Sequence, residues 1–238
     1  MFANSRPVSS RQTSIHPHLE QVLARHFVSS FLRPVHNVSF ETFDGFLRAF
    51  EQWESRRREN KRKNLILDAG CGVGWSSVTL ARRHPDCFVL GVDQSAHRLA
   101  RGGKARAENA QDTGNLHFAR ADLVDFWRLL QMANLKLRAQ YLLYPNPWPK
   151  PAHLRRRWHG HPVFPVLLSL GGFLECRSNW KIYVDELAFA CFSGGYAAQT
   201  TLFTPDTESG NPIFLTPFER KYHASGQTLW RLVCDLNT

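Results

Sequence analysis

The chain has 238 residues, 43% hydrophobic and 21% charged, a balance ordinary for a soluble globular protein with one core and an accessory segment. Its 30 Lys and Arg against 20 acids leave a formal charge of +10, so the expected partners are polyanions, nucleic acid first. Five cysteines without a C-x-x-C pair argue against a disulfide framework or zinc ribbon and for a reducing, cytoplasmic setting. No apolar run approaches the roughly 18 residues of a membrane span, and the polar start MFANSRPVSSRQTS holds no signal-peptide core.

Residues 1–16, rich in Ser, Arg and Pro, are expected to be mobile. Leu19, Val22, Leu23, Phe27 and Phe31 recur at helical spacing until Pro34, and Phe40, Phe43, Phe46, Leu47, Phe50 and Trp53 do so again. The spacing predicts two amphipathic helices within residues 1–63, packed on a main domain of residues 64–238. The second helix runs into RRRENKRK, Arg56 to Lys63, most simply a solvated helix end.

From Asn64 onward, short apolar runs alternate with helical stretches. Strands are predicted at Leu65–Asp68, Phe88–Asp93, Leu116–Arg120, Tyr141–Tyr144 and Gly172–Cys176, with helices such as Ser76–Arg83 and Ala96–Asn109 between them. Such alternation builds βαβ units and a parallel sheet. Gln199–Phe203 and Thr228–Cys234 read as two more strands with no helix required between them. The expected class is α/β: a Rossmann-like, mostly parallel seven-stranded sheet with an antiparallel C-terminal pair and helices on both faces. That topology resembles the class I methyltransferases, which use S-adenosylmethionine.

The segment LILDAGCGVGWSS joins a strand to a helix through Gly70, Gly72 and Gly74, which permit a sharp bend close to a ligand. A dinucleotide site needs a glycine three residues after the second; Trp75 stands there instead. Asp68 precedes the bend, Asp93 ends the next strand and Asp122 ends the third. Strand-end carboxylates can accept from ribose hydroxyls, and an acid on the third strand can reach an adenine amino group. Asp68, Gly70, Gly72, Gly74, Asp93 and Asp122 are therefore the expected S-adenosylmethionine ligands. Cys71 reads as a small packed residue.

After the fourth strand comes YPNPWPK, in which Pro145, Pro147 and Pro149 stiffen the backbone around Asn146, Trp148 and Lys150. Trp148 offers a face for stacking on a base, and Lys150 can meet a phosphate or a base oxygen. His153, Arg155, Arg156, Arg157, His159 and His161 follow as a cationic patch. A base-modifying enzyme needs both a rigid pocket and a basic rim. The three histidines lack an accompanying acid or Cys, so no metal is expected.

These motifs carry a family resemblance. The chain resembles the bacterial tRNA (guanine-N7-)-methyltransferases, whose signature P-D-P-W-x-K-x-x-H stands here as Pro145-Asn146-Pro147-Trp148-Pro149-Lys150-Pro151-Ala152-His153. The family's G-G-…-T-D-…-Y is similar to Gly171-Gly172-…-Ser178-Asn179-…-Tyr183. Its T-x-F-E is similar to Thr216-Pro217-Phe218-Glu219, followed by Arg220, Gly226 and Trp230. The resemblance covers about residues 64–235. It implies methyl transfer from S-adenosylmethionine to N7 of a guanine in the tRNA variable loop. Asn146 and Lys150 would act at the base, with Trp148, Asn179, Thr216, Phe218 and Glu219 completing its pocket. Arg155, Arg156 and Arg157 would meet phosphates. No membrane partner is expected, and the protein would be a monomer or homodimer.

Two positions depart from the family, where both acids have become amides, Asn146 and Asn179. Two alternatives follow: transfer to another base or a small molecule, or RNA binding without catalysis. Asn146-Pro147-Trp148 approaches the Asp/Asn-Pro-Pro-aromatic motif of amino-methyltransferases but lacks its second proline.

Overall fold

The computed structural model describes residues 4–56, 64–109 and 114–237; of the basic run, residues 57–63 lie outside them. Seven strands form one sheet: β1 (Leu65–Ala69), β2 (Phe88–Asp93), β3 (Leu116–Arg120), β4 (Ala139–Leu143), β5 (Phe173–Ser178), β6 (Ala198–Phe203) and β9 (Leu229–Asp235), in the order β3-β2-β1-β4-β5-β9-β6. The two-residue strands β7 (Thr207–Glu208) and β8 (Asn211–Pro212) pair separately. Eight α-helices accompany the strands in the described residues: α1 (Leu19–Val28), α2 (Asn37–Ser55), α3 (Trp75–Arg83), α4 (Ala96–Asn109), α5 (Leu123–Met132), α6 (Phe164–Ser169), α7 (Lys181–Ser193) and α8 (Pro217–Ala224). The expected α/β class is borne out.

The chain divides into two compact units. One comprises residues 33–141 and 170–172; the other comprises residues 1–32, 142–169 and 173–238. The first holds the parallel strands, with β1 paired to β2 and β4, and β2 to β3. Every residue of β1 and β2 is buried, as central strands covered on both faces require. Successive residues of β2 point to opposite faces. Phe88 meets Phe46, Phe50 and Trp53 of α2 at ring distances of 6.2, 5.4 and 5.5 Å. Val89 joins Ile66, Ala139 and the α3 residues Leu80 and Ala81. Helices thus cover both faces of this strand.

In the other unit β9 runs antiparallel to β5 and to β6, inserted between them, with α7 connecting those two. The expected antiparallel C-terminal pair is therefore borne out by β6 and β9, with α8 and the β7–β8 pair between them along the chain. β6 is largely exposed, and its polar Gln199, Thr200 and Thr201 suit a sheet edge.

Several boundaries differ from the sequence reading. β4 starts two residues early and stops before Tyr144, whose φ of 54° turns the chain off the strand. β5 starts after Gly172, left-handed at φ 79° against the Leu137 and Arg138 carbonyls, and continues to Ser178. α1 ends at Val28, short of Phe31. The two N-terminal helices are not left unpacked. α1 packs on α7, while α2 packs on β3 and α5. Nor is the chain before α1 free. Ser5 N–H donates to Ser225 Oγ, Ser10 Oγ–H to the Pro149 carbonyl, and Gln12 Nε2–H and the His16 N–H to Glu186 Oε1.

Candidate active site

The glycine bend follows from β1. The Gly70 and Cys71 N–H groups donate to the Val92 carbonyl of β2 at 2.8 and 3.0 Å, folding the chain back over the strand ends. Gly72 has φ 58°, and a Cβ placed there would meet nothing within 4 Å, so its outer face is open. Asp93 fixes the bend from the neighbouring strand: Oδ2 accepts the Gly72 N–H at 2.9 Å and Oδ1 the Ser95 N–H at 2.8 Å. Arg98 stands 3.7 Å from the same carboxylate. Each oxygen keeps a lone pair for a further donor, as a ribose diol would require. An open glycine bend beside such a carboxylate fits S-adenosylmethionine.

Asp68 behaves differently. It is fully buried, and its Oδ2 accepts both the Ser76 and Ser77 hydroxyls at 2.6 Å. Through these bonds it anchors the first turn of α3. Burial pushes its carboxyl up to about 6, although the two hydroxyls pull the other way. Asp122 caps α5, accepting the Val124 N–H, and its Oδ2 meets Arg33 Nη2 at 2.9 Å. Beside it, buried Asp125 accepts from Arg33, from His36 through both N–H and Nδ1, and from Ser39. Burial would raise the Asp125 carboxyl, but these bonds outweigh it and hold it at about 2. His36, Asp122 and Asp125 come close enough to hold an ion, yet Arg33 already supplies positive charge there.

Sequence reasoning missed Gly102 on α4. A Cβ there would lie 1.9 Å from the Val73 carbonyl, so only glycine lets the helix press against the bend. A glycine within a predicted helix was the available signal.

The proline loop belongs to the other unit, and its backbone is strained. Tyr144 and Trp148, both bulky, have φ of 54° and 45°. The strain is held by specific bonds. Tyr144 N–H extends the sheet to the Arg177 carbonyl at 2.8 Å, and Asn146 Oδ1 accepts the Trp148 N–H at 3.3 Å. Arg156 lies over the Trp148 ring at 4.7 Å, with His153 edge-on at 5.4 Å. Lys150, Arg155 and Arg156 are exposed, as phosphate or base contacts must be.

Arg157 departs from that expectation. It is 0% exposed. Its Nε and Nη2 donate to the Trp148 carbonyl at 3.2 and 3.1 Å, and Nη1 meets Glu186 Oε2 at 2.5 Å. Gln12 Oε1 accepts from it as well. Arg157 clamps the loop and cannot meet a phosphate. Buried His159 shares Glu186 Oε2 at 2.8 Å. Burial lowers the His159 pKa despite that carboxylate, so at neutral pH the charge facing Glu186 is that of Arg157. Burial would raise the Glu186 carboxyl, but His159 and Arg157 hold it at about 2.

Thr216 and Glu219 also serve the fold. Thr216 Oγ1 accepts the Glu219 N–H, and Glu219 Oε1 reaches back to the Leu215 N–H, much as in a capping box. Glu219 is buried against Arg177, which Glu175 and in turn Arg231 continue into a four-member charge row. The spacing T-x-x-E was the signal that could have found this cap. Phe218 remains 47% exposed and stacks on Tyr222, which meets Tyr144 at 5.6 Å. Asn179 Nδ2–H donates to Gln227 Oε1, and Gln227 Nε2–H to the Ser5 carbonyl, both at 2.8 Å.

Residues 62–232 match a protein family described as "Putative methyltransferase". The chain belongs to this family. Proteins named tRNA (guanine-N(7)-)-methyltransferase are similar to this methyltransferase. The Salmonella typhi protein is 28% identical over 72% of each chain. That of Pseudoalteromonas atlantica is 29% identical over 72% of each. That of Legionella pneumophila is 26% identical over 71% of this chain and 76% of its own. Among solved structures, the 16S rRNA methyltransferase KamB shares the fold, with a TM-score of 0.51 and 19% identity over 78% of this chain and 92% of that one. The methyltransferase uses S-adenosylmethionine as its methyl donor.

Proposed function

We propose that this methyltransferase transfers the donor methyl to N7 of a guanine in the tRNA variable loop. The observation that carries the reading is the proline loop. The tandem Pro145-Asn146-Pro147-Trp148-Pro149-Lys150 is held rigid by Arg157 and displays Trp148 and Lys150 beside exposed Arg155 and Arg156. Relatives named tRNA (guanine-N(7)-)-methyltransferase, matched over about 72% of the chain, support transfer to guanine N7 of tRNA.

The bound donor supplies an electrophilic sulfonium methyl. Guanine N7 carries an in-plane lone pair and no proton, so the chain needs no general base. Its tasks are to hold the base, align it and exclude water. Trp148 and half-exposed Phe218 offer flat faces to a base, and Lys150 a cation to its phosphate or oxygen. The base gains positive charge as the methyl arrives, which an amide dipole at residue 146 favours less than a carboxylate would. A slower reaction resting on alignment is the consequence. All five cysteines are buried and none is in a disulfide, which supports a reducing cytoplasm as the place of action. Among the described residues, no helix is long and apolar enough to cross a membrane.

The test is methylation of unmodified tRNA with labelled S-adenosylmethionine, followed by alkaline aniline treatment, which cuts at N7-methylguanine. Cleavage within the variable loop is the expected result. Label without cleavage would sink the guanine-N7 reading.

A further inference from the structure

An open trough of about 950 Å³, which shares only Arg155 with the residues assigned above, lies between the chain before α1, one face of α1 and the short turn Pro151–Arg156. Arg11 and His16 come from the first wall, Arg25 from α1 and Arg155 from the turn, and no acid lines it. The three arginines are exposed, and none has an acidic partner among the described residues. Beneath them, buried His26 bonds the Gly160 carbonyl. Burial lowers the His26 pKa, the bond to Gly160 raises it, and the Arg155 and Arg25 charges lower it, while Arg25 and Arg155 line the same trough. Like charges converging without an acid among them cost stability, and a bound polyanion removes that cost.

The trough is built, not incidental. Gln12 and His16 bond Glu186, and Ser10 bonds the carbonyl of Pro149 inside the proline loop. One wall of the trough is therefore tied to the loop that displays Trp148, and another wall, Pro151–Arg156, continues that loop directly.

We infer that this trough is a second RNA-binding surface, which grips the sugar-phosphate backbone of the substrate RNA through Arg11, Arg25 and Arg155. The inference rests on the tRNA reading above and adds a place outside the base pocket, built partly from the N-terminal segment.

The experiment measures binding of an unmodified tRNA transcript by fluorescence anisotropy across salt concentrations. The variants are Arg25→Glu/Arg155→Glu and, as a control of equal charge change, Arg48→Glu/Arg82→Glu, both residues being exposed elsewhere. Each lost phosphate contact lowers the slope of log K against log salt by about 0.7–0.9. The trough variant should bind at least tenfold more weakly than the control, with a slope lower by about 1.5, and adding Arg11→Glu should deepen both. Calorimetric binding of S-adenosylhomocysteine should be unchanged, which shows the fold intact. If affinity and slope stay within twofold of the control, or if the wild-type chain binds no tRNA, the trough assignment is overturned. Wild-type binding without N7 methylation overturns the guanine reading alone.

Discussion

The Arg157 guanidinium donates to the Trp148 carbonyl and to the Glu186 carboxylate at once, so one buried cation joins the strained proline loop to α7. Removing the cation takes from buried Glu186 its guanidinium partner and leaves it only His159, Gln12 and the His16 N–H, a cost of about 3–5 kcal/mol. Arg157→Met should therefore lose about that much stability in urea unfolding. Arg157→Lys, which keeps the charge but not the fork, should lose less stability yet lower kcat, because the loop is no longer held at two points. Full activity in the lysine variant would show that the clamp does not position the loop.

Two carboxyls held at about 2, Glu186 and Asp125, make acid the weak side of this protein. Their folded values lie below the ordinary 4.5 and 3.8. Their stabilisation is complete above those values and is lost as pH falls through them toward 2. Unfolding free energy should drop as pH falls from about 4 to 2, by on the order of 3 kcal/mol for Glu186, while Asp68, held at about 6, acts in the opposite sense between about pH 6 and 4. Glu186→Gln should be less stable at pH 7 but flatter across that range, as followed by urea titration at each pH.

Donor binding should depend on Asp93 and on Gly102. Asp93→Asn keeps the shape but gives up charge-assisted acceptance, worth about 1.5–3 kcal/mol, so S-adenosylhomocysteine should bind roughly 10–100-fold more weakly in calorimetry. Gly102→Ala drives a methyl into the Val73 carbonyl, and neither backbone can yield easily. It should cost about 1–3 kcal/mol of stability and weaken the same ligand, with no effect of Asp93 charge needed.

The two amides should answer differently to restoration of the acid. Asn146 is exposed and uses only its oxygen, so Asn146→Asp should leave the melting temperature nearly unchanged and raise tRNA methylation. Asn179 uses its Nδ2–H toward Gln227. Asn179→Asp sets two oxygens against each other and should cost about 1–3 kcal/mol. It should also speed hydrogen exchange around Ser5, which Gln227 holds.

Local pattern alone determined the strands, most closely β2 and β3, whose bounds match residue for residue, because an apolar run between helical stretches has few other uses. It also determined the glycine bend, where only the backbone is at stake, and the proline loop, whose stiffness is covalent. What each charged side chain faces was decided only by the tertiary structure. Asp68, Glu219 and Arg157 sit inside binding motifs yet turn inward to hydroxyls, a helix cap and a carboxylate. The side chains that accept from Arg157 lie 29 and 145 residues away, at Glu186 and Gln12. A buried charge survives only beside a matching one, and folding, not spacing along the chain, chooses which residues meet.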